Sequence, residues 1–256
     1  MNPSVLLWLA MCCPERTAPI YAAATVVHSA TGLPALAPNT FGTIYGKDLA
    51  VTTRALAGSD LEGGLLPVVL LGTGVRVTVE GLAAPIWYVS PTQINFLIPG
   101  EIPQKPLVKV YASVNGRAGP EVEVRLLPAA PGLFRLDPET VLAVRLDKSV
   151  VKLETPVAAG QDVILFATGL GPTMPDVPYR YVAGGAAPIV RRAEFRLLLN
   201  GSVVPDQRIR YVGAAPGFAG LYQINLWLPE DSPSHPEIQV AVGEALSPPG
   251  LRLPVR

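Results

Sequence analysis

The sequence predicts an all-β protein made of two tandem β-sandwich domains related by internal duplication. Three observations predict it. Apolar and polar residues alternate at period two in several separate runs. Prolines and glycines, 28 and 24 of the 256 residues, lie between those runs and leave little room for a helix. A stretch in the first half of the chain recurs, residue type by residue type, in the second half.

The alternating runs are explicit. Val75, Val77 and Val79 alternate with Arg76, Thr78 and Glu80. Val122, Val124 and Leu126 alternate with Glu121, Glu123 and Arg125. Ile238, Val240 and Val242 alternate with Glu237, Gln239 and Ala241. Successive side chains on a strand point to opposite faces, so each run buries one face and wets the other. That is the pattern of antiparallel sheets packed face to face. Residues 141–146 and 150–153 flank Asp147-Lys148-Ser149 and predict a hairpin. A hydrophobic content of 49% is ample for packed cores. At roughly 100–200 residues per domain, the length fits one large domain or two small ones.

The duplication decides for two. VRVTVEGLAAPIWYVSPTQINFLIPGE, starting at Val75, is echoed by FRLLLNGSVVPDQRIRYVGAAPGFAGLYQINLWLPED, starting at Phe195. Gly81 matches Gly201, and each is followed four residues later by a proline, Pro85 and Pro205. Tyr88 matches Tyr211, Gln93-Ile94-Asn95 matches Gln223-Ile224-Asn225, and Pro99 matches Pro229. Phe41-Gly42-Thr43-Ile44-Tyr45-Gly46 opens the first copy, and Val163 to Gly169 opens the second. The second copy carries a longer loop, residues 212–221. Gly81 and Asn200-Gly201 supply the positive φ that tight hairpin turns demand. The boundary is expected near Pro131-Gly132-Leu133-Phe134, giving domains 25–134 and 135–256.

Residues 1–24 are expected to be an export signal. The apolar run Val5-Leu6-Leu7-Trp8-Leu9-Ala10-Met11 is too short for a bilayer span of about 20 apolar residues. Ala22-x-Ala24 suits cleavage before Thr25. Two features depart from the usual signal: no Lys or Arg precedes the run, and Pro14-Glu15-Arg16 lengthens the gap. Leu9-Ala10-Met11-Cys12 also resembles a bacterial lipoprotein box, with Met11 where that box has a small residue. Cys12 and Cys13 are the only cysteines, so a cleaved chain holds no thiol, disulfide or cysteine metal site. The expected location is secreted or cell-surface, with no transmembrane span in the mature chain.

Several segments together resemble a known family. They are Val26-Val27-His28-Ser29-Ala30, Ile44-Tyr45-Gly46-Lys47-Asp48-Leu49-Ala50, Tyr88-Val89-Ser90-Pro91-Thr92-Gln93-Ile94-Asn95 and Pro128-Ala129-Ala130-Pro131-Gly132-Leu133-Phe134. Leu165 through Pro172 and Ala215 through Asn225 complete the set. The combination is similar to the Solibacter-type C-terminal domain of large secreted acidobacterial proteins. Ala167-Thr168-Gly169-Leu170-Gly171-Pro172 also resembles the first strand of IPT/TIG domains. The resemblance implies an exported pair of immunoglobulin-like β-sandwiches of unknown biochemical role. It implies no catalytic residues.

The remaining chemistry is sparse. The 20 basic and 20 acidic residues give a formal net charge of +0, which leaves no electrostatic footprint for nucleic acid. His28 and His235 are the only histidines, and neither sits in a triad-like context. There is no Gly-x-Ser-x-Gly elbow, His-Glu-x-x-His helix or Walker loop. No cofactor or metal is expected. Asp60, Glu62, Asp176 and Glu194 leave a carboxylate-dependent hydrolase as a remote alternative, with no reason to pair any two. The leading expectation is a non-enzymatic extracellular structural or interaction module. Its partner would be a protein or polysaccharide of the cell surface. Carbohydrate or cell-envelope binding is the second expectation, through Trp87, Tyr88, Tyr211, Tyr222 and Trp227 or the loop 212–221. Tyr88, Gln93, Asn95, Tyr211, Gln223 and Asn225 are the repeat positions to watch. They serve either the scaffold, their amides bonding nearby loop backbone, or a ligand.

Overall fold

Residues 17–256 are described by a computed structural model. The apolar run at residues 5–11 and Cys12 and Cys13 lie outside the described residues. The first half holds β1 (Val26–His28), β2 (Ala35–Leu36), β3 (Phe41–Tyr45), β4 (Arg54–Ala55) and β5 (Val75–Val79). It continues with β6 (Leu82–Ala83), β7 (Ile86–Ser90), β8 (Gln93–Leu97), β9 (Leu107–Val114) and β10 (Arg117–Leu126). The second half holds β11 (Gly132–Leu133), β12 (Ala143–Val144), β13 (Asp162–Thr168), β14 (Ala187–Pro188) and β15 (Phe195–Leu199). It ends with β16 (Ser202–Val203), β17 (Ile209–Ala214), β18 (Tyr222–Trp227), β19 (Ile238–Val242) and β20 (Ala245–Leu246). Among the described residues the only helical pieces are four 3₁₀ turns of three residues each.

The duplication is visible in strand order. The first half pairs β1-β3-β8-β7-β4 in one sheet, and the second half pairs β11-β13-β18-β17-β14. The facing sheets run β10-β9-β5-β6 and β20-β19-β15-β16, with β2 added beside β10. Each strand of the first half thus matches the strand ten later, β2 and β12 excepted. Both halves have the two-sheet order of a tandem immunoglobulin-like fold, with a short extra strand, β4 or β14, at one edge. Among the described residues these strands pair antiparallel except β2 with β10, and two isolated bridges, Thr140 with Arg252 and Val157 with Val255, are also parallel.

The alternation seen in the sequence builds the cores. Val75, Val77 and Val79 are fully buried while Arg76 between them is exposed. They join Leu36, Ile44, Ile94 and Phe96 in the first core. Val163, Leu165, Leu197, Ile224 and Val240 fill the second. Burying each such side chain stabilises the fold by roughly 1.5–3 kcal/mol. The hairpin turns are as expected: Glu80-Gly81 have φ of 50° and 80°, and Asn200-Gly201 have 49° and 77°. Two successive positive values give the turn whose twist suits paired strands. The turn at 147–149 also forms, with Lys148 N–H donating to Arg145 O and Arg145 N–H to Ser149 O.

Two boundaries shift. Leu133 of β11 pairs with Ala167 of β13, so residues 132–134 lie in the second sandwich rather than closing the first. The motif there reads as a strand end because Gly132 follows Pro131, but its hydrogen-bonding partner is far away in sequence. At the other end, Tyr21 is buried in the first core. Its hydroxyl accepts from Ala112 N–H at 2.7 Å and donates to Pro120 O at 2.5 Å. A domain beginning at residue 25 therefore lacks one of its own core side chains.

The two sandwiches are fastened together over a short connector. Leu127 N–H donates to Leu36 O, and Ala130 N–H donates to Gly169 O. Gly169 has φ of 77°, and a β-carbon there would lie 2.0 Å from Ala130 O. The long stretches before β5 and β15 also meet. Leu66 N–H donates to Arg180 O at 2.7 Å, and Arg180 Nε donates back to Leu66 O at 2.9 Å. The strands ending the four sheets (β1 and β4, β2 and β6, β11 and β14, β16 and β20) are each two or three residues long.

Candidate functional site

The Gln-Ile-Asn strands place isoleucine inward and both amides outward. Ile94 and Ile224 are fully buried, while Gln93, Asn95, Gln223 and Asn225 are half-buried on the outer face. In each copy the two amides bond each other: Gln93 Nε2 donates to Asn95 Oδ1 at 2.8 Å, and Gln223 Nε2 to Asn225 Oδ1 at 2.7 Å. The expected bonds to loop backbone are therefore replaced by a side-chain ladder, because residues two apart on a strand share a face. Tyr88 lies opposite Asn95, and Tyr211 opposite Asn225. Tyr211 has a scaffold role, since its hydroxyl accepts from Ala187 N–H of β14 and donates to Ala214 O.

A register shift precedes each of these tyrosines, between Ile86 and Tyr88 and between Ile209 and Tyr211. Such bulges re-aim a side chain. The residue in the bulge is Trp87 in the first copy and Arg210 in the second. Trp87 meets Phe41 edge to face, with ring centroids 4.9 Å apart and an 84° angle. Phe41 also meets Phe134 at 6.2 Å.

These rings line a cleft of about 280 Å³ where the sandwiches join. Ser29, Phe41, Trp87 and Asn95 come from the first sandwich, and Phe134, Phe218 and Leu221 from the second. Phe218 is the most open of them, at 51% exposure. The expected loop 212–221 is shorter, because Val212–Ala214 pair within β17, and residues 215–221 fix the Phe218 backbone: Gly217 N–H donates to Ala183 O, and Ala183 N–H donates to Phe218 O. One hydroxyl fastens the two walls. Thr168 Oγ1 accepts from Phe41 N–H at 3.1 Å and donates to Gly220 O at 2.7 Å. Among the described residues no charged side chain lines the cleft.

The sequence-level candidates divide on this geometry. Asn95 and Trp87 reach the cleft. Gln223, Asn225, Tyr211 and Trp227 are on the second copy, away from the cleft, and Arg208 lies over the Trp227 ring, 3.9 Å from its centroid. Tyr222 is buried, its hydroxyl donating to Gly171 O, and burial raises its pKa. Phe41, Phe134 and Phe218 fall within the sequence motifs without a role of their own there, and only the loop 212–221 points to Phe218 as a contact. Of the carboxylates, Asp60 pairs with Arg54 and Glu194 with Arg191. Among the described residues no group of three or more His, Cys, Asp or Glu is arranged to hold a metal ion. No helix among them is long and apolar enough to cross a membrane.

His28 is buried at the seam, where a β-carbon on Gly132 would lie 2.4 Å from its ring. Its Nε2–H donates to Ala130 O at 2.9 Å, and its Nδ1 accepts from Ala30 and Thr31 N–H. Burial lowers its pKa to about 4.

No family model matches the chain, and no curated protein matches it. Solved structures do. A surface glycan-binding protein from Prevotella bryantii is 13% identical, with a TM-score of 0.28, over 91% of this chain and 42% of that one. The Bacteroides ovatus mixed-linkage glucan utilization locus SGBP-B, in complex with a mixed-linkage heptasaccharide, is 10% identical at a TM-score of 0.34, over 87% and 43%. The tandem Ig repeats of Dlar are 10% identical at 0.22, over 87% of this chain and 92% of that one. The chain spans less than half the length of the first two. What the strand order itself defines is a tandem pair of immunoglobulin-like β-sandwiches.

Proposed function

We propose that this chain is a non-enzymatic, exported binding module that holds a cell-surface or environmental polysaccharide in the aromatic cleft between its sandwiches. One observation carries the reading. Phe41, Trp87, Phe134 and Phe218 converge with Asn95 and Ser29 in one concave, uncharged site built by both domains. Apolar ring faces with a few fixed polar groups are what a ligand with apolar and hydroxyl-bearing faces requires. Export is supported by the apolar run at residues 5–11 and by the confinement of cysteine to Cys12 and Cys13.

Retention of the purified protein on insoluble polysaccharides tests the binding. Wild type is expected to be retained, F218A to be released at unchanged melting temperature, and W87A to be released while still folded by circular dichroism, with a lower melting temperature because Trp87 packs against the core. No retention on any polysaccharide, or equal retention of both variants, overturns the reading. Fractionation with intact mass tests the location: a chain confined to the cytoplasm with its N-terminus at Met1 overturns export, and a lipid adduct on Cys12 places the protein on the membrane surface.

A further inference from the structure

The polar wall of the cleft has a fixed hydrogen-bond direction. Thr43 Oγ1 donates its only hydrogen to Asn95 Oδ1 at 3.1 Å. The bond between Ser29 Oγ and Thr43 Oγ1, at 2.8 Å, must then be donated by Ser29. Gln93 Nε2 fills the other side of Asn95 Oδ1. The amide oxygen of Asn95 is thus held inward by two donors, and its Nδ2 hydrogens have no protein acceptor among the described residues. Ser29, having given up its hydrogen, presents lone pairs. Both residues line the cleft beside the Trp87 and Phe41 rings.

One donor and one acceptor, preset side by side next to an aromatic wall, suit neighbouring hydroxyls, each of which both gives and takes a hydrogen bond. They do not suit a carboxylate, which only accepts, so that it meets the acceptor with no hydrogen to give and finds no cation among the described lining residues. We propose that the cleft selects uncharged sugar units over uronic acid units, with Asn95 as donor, Ser29 as acceptor and Thr43 as the positioning residue that sets both. The second copy lacks this device. Ile164 stands opposite Asn225 where Thr43 stands opposite Asn95. Such selectivity presupposes that the cleft binds polysaccharide at all.

The experiment is calorimetric titration of the full chain with two oligosaccharide panels of matched length, neutral gluco-oligosaccharides and oligogalacturonates, at two salt concentrations. Wild type is expected to bind at least one neutral oligomer about tenfold or more tighter than any oligogalacturonate, with little salt dependence. T43V is expected to lose about tenfold for the neutral oligomer, the scale of one ligand hydrogen bond. S29A, which leaves the Thr43–Asn95 bond in place, should lose less. Equal or tighter binding of oligogalacturonates overturns the selectivity while leaving a polysaccharide site standing. Wild-type binding that T43V and S29A both leave unchanged, with W87A abolishing it, overturns the polar role. No binding to either panel removes the polysaccharide reading itself. If T43V fails to fold, N95D supplies the same comparison, since it replaces the donor by an anionic acceptor.

Discussion

The outer faces of the two copies carry the same backbone and opposite chemistry. Counting from the shared Gln-Ile-Asn strand, Phe41, Thr43 and Leu97 of the first copy correspond to Asp162, Ile164 and Trp227 of the second. The bulged position is Trp87 in one and Arg210 in the other. Where Phe41 and Trp87 meet edge to face, Asp162 and Arg210 form an ion pair at 3.2 Å. Where the Trp87 side is open, Trp227 is covered by Arg208, which is itself anchored by Glu230. A duplicated scaffold has thus been finished twice, once as a recessed aromatic wall and once as a face carrying an ion pair and a cation-covered tryptophan. The difference teaches that the repeat positions fix geometry, while the residues beside them decide whether a face is available to a ligand.

The largest effect that separates the copies is expected outside the repeat. Tyr21 inserts into the first core with both hydroxyl bonds satisfied, so Tyr21→Ala should cost roughly 3–5 kcal/mol, as large-to-small core changes do. Chemical denaturation should show the loss, and a chain starting at residue 25 should share it. A loss below about 1 kcal/mol would detach the segment from the core.

Acid comes next, because only the first copy supplies a buried histidine to the seam. His28 titrates near 4 when folded and near 6.5 when unfolded. The unfolded chain therefore binds the extra proton first as pH falls. Stability should be steady above about pH 6.5, decline between 6.5 and 4, and lose up to about 3 kcal/mol by the lower end. A proton on Nδ1 would also face the Ala30 and Thr31 donors. H28Q should flatten that slope whatever its own baseline stability, and an unchanged slope would assign the acid sensitivity elsewhere.

Exchanging the finishes tests the comparison directly. The double substitution Phe41→Asp and Trp87→Arg installs the second copy's ion pair on the first copy's strands. Saccharide binding should drop about 100-fold or more, about 2.7 kcal/mol, while circular dichroism stays that of the parent. Retained binding would move the site away from these rings. At the small end, Asp162→Asn should change stability by less than about 1 kcal/mol and leave binding untouched, since partly exposed ion pairs contribute little. A binding defect there would give the second copy a share in the site.

Much of this architecture is legible in the sequence. Val75, Val77 and Val79 announce their strand because burial of one face demands period two. Gly81 and Gly201 announce their turns because the left-handed backbone region is costly for most side chains. Gln93 and Asn95 are visible as an outward pair for the same reason of alternation. The cleft is not legible, because Phe41, Phe134 and Phe218 meet only once the sandwiches dock, and docking depends on contacts such as Thr168 to Phe41 across 127 residues of chain. The positions of Tyr21 and Leu133 were hidden for a related reason. Each looks like the end of something local until its distant partner is known.

The brevity of the terminal strands has a consequence for how such a chain folds at all. Two look-alike sequences in tandem invite a strand of one copy to settle into the sheet of the other, and an unpaired long edge invites a second molecule. Strands of two or three residues offer too few backbone hydrogen bonds to hold either mistake. Pro188, in β14, further removes a donor from one of those rims. Short rims of this kind leave little template for edge-to-edge pairing between copies of the chain.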